Sequence, residues 1–382
     1  MKKYIIFGIS VIVVGAYSML AQRDIEGNVY KVGLSLPLSG NFASTGEDVL
    51  SGIQLAVKHI KAERGVEIHL VVEDSKADAK SAVDVAHKML DVDKLPMVIS
   101  GPGSSANLAA APIYEQRRTF FFVVSQTPKL NNAGEYIYKF SPDVPKEAVL
   151  MAKHLHETGI KHLGIIFDSS SDTSFTINEV LLKEFMVGSS TATSEAVDAK
   201  TSNDFRSSLT KIKAANVDAL FLAPGPDKVI AQVINQAREL GINVPLFSWS
   251  PLETKTIIDS AKQNAEGIVY TALPFSCEYG NTQMKSYCDE FEKAYPGKNP
   301  LHFGPQAYDA LVLYINAILT AGLKPEDLQS QDGKDRLRYE LAKIKNYEGV
   351  SGDISLDEKG NITEKAFQLR QVKDGKFIPY IK

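Results

Sequence analysis

Two adjacent serines, Ser104 and Ser105, follow Gly101-Pro102-Gly103 where a helix is predicted to open. Hydroxyls and free backbone N–H groups at a helix N-terminus suit an anion or a carboxylate, although the same serines also serve as ordinary caps. Ser125-Gln126-Thr127-Pro128 offers a second polar cluster, and Leu38 to Gly46, with Phe42 and Thr45, a third. These are groups that bind rather than react. Gly101-Pro102-Gly103-Ser104-Ser105 is not the Gly-x-Ser-x-Gly nucleophile elbow, and no histidine or carboxylate is spaced to complete a triad. It is neither of the glycine-rich phosphate signatures, so no nucleotide cofactor is expected. Nothing in the sequence demands an enzyme.

Metal chemistry is not expected either. The seven histidines are scattered, and His154 and His156, two apart on a predicted helix, point away from each other. Only two cysteines occur, Cys277 and Cys288.

The elements that must position the polar clusters alternate between strand and helix. Tyr30–Pro37, Val66–Val72, Met97–Ile99 and Thr119–Val124 read as strands, the last two almost wholly apolar. Helices are predicted over Glu47–Lys61, Asp78–Leu90 and Ser104–Arg117. A second set follows Phe140-Ser141-Pro142-Asp143. Its strands are His162–Phe167, Ala219–Leu222, Pro245–Trp249 and Gly267–Tyr270, and its helices Pro145–Glu157, Asn178–Val187, Phe205–Ala215 and Val229–Leu240. Nearly continuous apolar strands belong to parallel sheets covered by helices on both faces. Open sheets of this α/β kind bind ligands beyond the carboxyl ends of their strands, where the polar clusters fall. After two further helices, Tyr308–Ala321 and Asp335–Lys345, the tail alternates as hairpin strands around Asp374-Gly375.

The chain has 382 residues, 44% hydrophobic and 23% charged, with net charge −4. That is enough for two or three domains, too apolar for disorder, and gives no electrostatic pull toward nucleic acid. Met1-Lys2-Lys3 and the uncharged run Tyr4–Leu20 have the layout of a secretory signal peptide, residues 1–21. The alternative is an uncleaved N-terminal anchor, which would suit a ligand-binding sensor. No cysteine follows the run to carry a lipid. In an oxidising compartment Cys277 and Cys288, 11 positions apart, are expected to close a surface loop as a disulfide.

The ordered set Val32-Gly33-Leu34-Ser35-Leu36-Pro37-Leu38-Ser39-Gly40, Gly46, Gly52-Ile53-Gln54-Leu55-Ala56-Val57, Gly101 to Ser105, Pro128-Lys129-Leu130, Phe140-Ser141-Pro142-Asp143 and Gln306-Ala307-Tyr308-Asp309-Ala310 resembles the leucine/isoleucine/valine-binding type of periplasmic substrate-binding protein. The resemblance spans nearly the whole exported chain. It implies two Rossmann-like lobes joined by three hinge crossings near Asp143, Leu273 and Gly349. Residues 28–143 with 274–349 would form one lobe and 144–273 with 350–382 the other. It also implies a periplasmic, monomeric protein that closes over a small molecule, performs no chemistry on it, and delivers it to an inner-membrane ABC permease.

Site residues carry over in part. Ser104 and Ser105 match the serines that bind the ligand carboxylate. Gln126 stands where a gripping threonine is usual, between Ser125 and Thr127, and Thr45 stands where an aromatic often lines the pocket. The carboxylate that neutralises a ligand ammonium is usual near Trp249-Ser250-Pro251; here Asp227 or Glu253 would have to supply it. A buried ammonium without such a partner is costly, so a simple aliphatic α-amino acid is not the expected ligand. Trp249, the sole tryptophan, is a candidate to stack on the ligand, with Phe42, Phe275 and Tyr308 as further aromatics. An amino acid, an organic or aromatic carboxylate, or an amide matched by Gln126 is expected to bind.

Overall fold

The computed structural model describes residues 29–363 and 365–381; the expected signal peptide lies outside them. The chain opens with strand β1 (Val29–Leu36), helix α1 (Ala43–Arg64), β2 (Glu67–Asp74), α2 (Ala79–His87), β3 (Met97–Ser100), α3 (Ser104–Gln116), β4 (Phe120–Val123) and β5 (Ile137–Lys139). These strands form one parallel sheet in the order β2-β1-β3-β4-β5. The next set runs α4 (Val144–Glu157), β6 (His162–Asp168), α5 (Asp172–Phe185), β7 (Thr191–Val197), α6 (Arg206–Ala214), β8 (Ala219–Ala223), α7 (Asp227–Glu239), β9 (Leu246–Ser248), α8 (Lys255–Ala261) and β10 (Val269–Ala272). Its strands pair in parallel in the order β7-β6-β8-β9-β10.

The chain then returns to the first lobe through α9 (Thr282–Ala294), α10 (Phe303–Thr320), α11 (Gln331–Ala342) and the short pair β11 (Tyr347–Gly349) and β12 (Gly352–Ile354). It closes with the hairpin β13 (Gln368–Lys373) and β14 (Lys376–Pro379), added antiparallel to β10. Strands β3, β4, β6 and β8 are almost wholly buried, as their apolar runs require.

Each lobe has its own core. Val32, Leu34 and Phe122 pack with Leu311 and Ile315 in the first, and Ile165, Phe221 and Leu222 with Met151 and Ile230 in the second. The third passage between lobes falls later than expected. Ile354, Leu356 and Ile362 are buried in the first core, held by a bridge between Leu356 and Ile362, so the chain is still with the first lobe at Ile362 rather than leaving it near Gly349. Three apolar side chains in that stretch need cover, and the first lobe supplies it.

One contact aims the loop before α10. A Cβ on Gly52 would lie 2.3 Å from the Gly304 carbonyl oxygen, so α1 and α10 touch backbone to backbone. The approach lets the buried Asp48 carboxylate accept from Leu301 N at 2.8 Å and Gly304 N at 2.6 Å. Residues 301–304 are thereby pinned at the cleft.

Candidate ligand-binding site

The carboxyl ends of both sheets face each other across one pocket. In each sheet the strand order reverses beside that end, between β1 and β3 and between β6 and β8, which opens the crevice where such folds hold ligands. The first lobe contributes Phe42 and Thr45 after β1, Gly103 and Ser104 after β3, Ser125 and Gln126 after β4, and His302 and Phe303 from the clamped loop. The second contributes Thr173 after β6, Gly225, Pro226 and Asp227 after β8, and Trp249 and Glu253 after β9.

Helix α3 presents a bare N-terminus. Its N-cap is Gly103, at φ +134°, with no side chain capping the first N–H groups. A residue with a Cβ is strained in that conformation, so the glycine keeps the loop close to the helix start. The Ser104 hydroxyl, 5% exposed as a residue, accepts from Thr173 N of the opposite lobe at 3.2 Å.

Ser105 and Thr127 do not line the pocket. The Ser105 hydroxyl donates to the Ser170 carbonyl at 3.0 Å, and the Thr127 hydroxyl donates to Asp172 Oδ2 at 2.5 Å, where Lys129 also pairs with the carboxylate. Both bonds join one lobe to the other. The sequence predicts that these two residues touch ligand; in this structure their hydroxyls are engaged between the lobes instead of facing the pocket. Thr45 lines the pocket, but its hydroxyl donates to the Phe42 carbonyl at 2.7 Å and is spent on its own turn.

Gln126 lines the pocket and also reaches across it. Its amide Nε2 donates to Glu147 Oε1 at 2.5 Å and to Ser250 Oγ at 3.3 Å. Glu147, at the start of α4, is wholly buried and accepts further bonds from Ser250 N, Ser250 Oγ and Thr271 Oγ1. Burial pushes its carboxyl up to about 7, against the pull of those donors. Sequence reasoning missed Glu147. An acidic residue in the first turn of an amphipathic helix reads as a solvated one.

Asp227 is 2% exposed at the first position of α7. Its Oδ1 accepts from Lys228 N at 2.8 Å and its Oδ2 from Ser44 Oγ at 3.5 Å, and no cation pairs with it among the described residues. The positive end of α7 favours its charge. Glu253 is already paired with Arg370, which is itself buried and also donates to the Phe275 carbonyl. Of the two carboxylates expected to meet a ligand ammonium, Asp227 is therefore the free one.

Trp249 both lines the pocket and packs in the second core, so cleft contact and core packing hold together. Its indole Nε1 has no hydrogen-bond partner among the described residues, and neither has His302 Nε2. Phe275 and Tyr308 stay away from the pocket; they pack with Tyr287 and Cys288 around the Cys277–Cys288 disulfide. His302 and Phe303 are pocket residues that the sequence did not single out.

A family model described as periplasmic binding protein matches residues 29–376. The leucine-, isoleucine-, valine-, threonine- and alanine-binding protein of Pseudomonas aeruginosa is 24% identical over an alignment that covers 93% of this chain and 92% of that protein. Among solved structures, the leucine-binding protein LivK of Thermotoga maritima superposes with a TM-score of 0.83 at 23% identity, covering 92% of this chain and 98% of its own. The branched-chain amino acid transporter substrate-binding protein LivJ of Streptococcus pneumoniae, solved with isoleucine, gives 0.81 at 24% identity, covering 91% and 97%.

Proposed function

The chain belongs to the periplasmic binding protein family, of the leucine/isoleucine/valine-binding kind, and from that premise we propose that it captures a small α-amino acid between its lobes and delivers it to an ABC importer in the inner membrane. In this reading the protein works in the periplasm and does no chemistry on its cargo. The α-carboxylate lies at the N-terminus of α3, against Ser104 and the free N–H groups; the ammonium pairs with Asp227. The observation that carries the reading is the Asp227 carboxylate, buried in the pocket wall without a paired cation among the described residues. A buried charge left without a partner is costly, and a zwitterion brings the missing cation to one end and an anion to the other.

Hinged closure couples the two ends. Ser104 is on one lobe and Asp227 on the other, so a ligand that touches both favours the closed arrangement the transporter recognises. The test is calorimetric titration of protein unfolded and refolded to remove retained ligand, using α-amino acids and the same acids lacking the amino group. Amino acids are expected to bind, and Asp227→Asn to weaken them about a hundredfold. Equal affinity for the deaminated acids, or an unchanged Asp227→Asn, would overturn the amino-acid assignment.

A further inference from the structure

Two residues that line the pocket each carry a buried polar atom without a hydrogen-bond partner among the described residues. Trp249 is 4% exposed and His302 9%, and both line the cavity, yet indole Nε1 and imidazole Nε2 are without partners. They come from opposite lobes: Trp249 from the end of β9, His302 from the loop that Asp48 clamps ahead of α10. The indole nitrogen only donates; an imidazole nitrogen donates or accepts according to its tautomer. A group that serves both must offer an acceptor to Trp249 and remain adaptable toward His302, and a hydroxyl or a carboxamide does so.

We infer that Trp249 and His302 form a specificity subsite that reads an uncharged hydrogen-bonding group at the distal end of the ligand. This inference rests on the amino-acid reading above, and then names the cargo as an amino acid with a hydroxyl or amide side chain rather than a purely aliphatic one. A saturated side chain would leave both buried atoms unpaired, which costs more than the hydrogen bonds themselves contribute.

The charges around the subsite exclude ionic side chains. Among the described residues, the two cations near His302 are already engaged and would not meet a second carboxylate: Arg370 is held by Glu253, and Lys365 by Ser351 beside Asp309. A side-chain ammonium has no acceptor to offer the indole. Burial, with Arg370 and Lys365 nearby, lowers the imidazole to about 3, so His302 stays neutral and suits a neutral group.

The experiment compares near-isosteric pairs by calorimetry on the refolded protein: threonine against valine, glutamine against methionine and against glutamate, and 4-hydroxybenzoate against 4-methylbenzoate. Threonine and glutamine are expected to bind at least tenfold more tightly than valine and methionine. Trp249→Phe and His302→Phe should each shrink that ratio severalfold, with thermal unfolding showing that both variants fold. Equal or tighter binding of valine and methionine, or of glutamate, overturns the subsite and leaves the amino-acid reading standing. Binding of 4-hydroxybenzoate over 4-methylbenzoate with no amino acid bound overturns the amino-acid reading and sustains the subsite. Silence from every probe overturns both.

Discussion

Gln126 and Glu147 meet across the cleft, the amide Nε2 of one donating to the carboxylate Oε1 of the other at 2.5 Å. Glu147 is raised to about 7 by burial, as is Asp48 beneath α10. A carboxyl raised in the folded state contributes its full stabilisation below its ordinary pKa; between that value and the raised one the fold holds a proton that the unfolded chain has released, so stability falls as pH rises. That contribution is lost as pH rises through about 7. Unfolding midpoints in urea are therefore expected to fall between about pH 5 and pH 7. Glu147→Gln should flatten the fall by on the order of 2 kcal/mol, with the Ser250 and Thr271 hydroxyls turning to suit the amide. An unchanged slope in the variant would place the titration elsewhere.

Ser105 and Thr127 bridge the lobes without lining the pocket, and Thr127 also caps its own turn by accepting from Lys129 N, so their loss acts chiefly on closure. Ser105→Ala and Thr127→Val are each expected to weaken ligand binding about three- to tenfold, one hydrogen bond present only in the closed state. Ligand-free thermal stability should stay within a degree or two. Titration beside small-angle scattering checks this: the variants should need more ligand to reach the same compact form. A loss of stability in the free protein would contradict it.

Lys365 is buried where the chain returns to the second lobe, and it donates to Ser351, whose hydroxyl donates to Asp309. Asp309 also accepts from the backbone of Val350 and Ser351. Lys365→Met leaves the Asp309 carboxylate buried without its cation, and about 3 kcal/mol of stability should be lost in urea unfolding. Asp309→Asn combined with Lys365→Met should recover part of it, since neither charge then remains.

The Cys277–Cys288 bond spans 11 positions and packs its second sulfur against Phe275, Tyr287 and Phe291. Replacing both cysteines by alanine is expected to cost about 2–3 kcal/mol, chiefly by freeing the unfolded chain. Ligand affinity should be unchanged, because this cluster is separate from the pocket. A change in affinity would tie the loop to the cleft.

The apolar strands announced themselves through composition, which is why β3, β4, β6 and β8 were legible. Thr191–Val197 was not: it is an edge strand of Thr, Ser, Ala and Glu, mostly half-exposed, with no apolar run to mark it. The start of α5 was missed by six residues although Ser171 caps it, accepting from Ser174 N; among serines and aspartates a cap reads as loop. The pocket followed the same rule. Ser104, Ser125, Gln126 and Trp249 stand at strand ends and could be named from sequence. His302 reaches the cleft only because Asp48, some 250 positions earlier, grips the backbone around it.

The closing hairpin β13–β14 pairs with β10 and so moves with the second lobe, whereas the disulfide loop packs against Leu55 of α1 and moves with the first. Pro379 at the end of the hairpin and the exposed Tyr279 within that loop are thus attached to different rigid bodies. A fluorophore fused after the hairpin and another at Tyr279 would turn each opening and closing into a change in energy transfer. Such a sensor would leave every pocket side chain as it is.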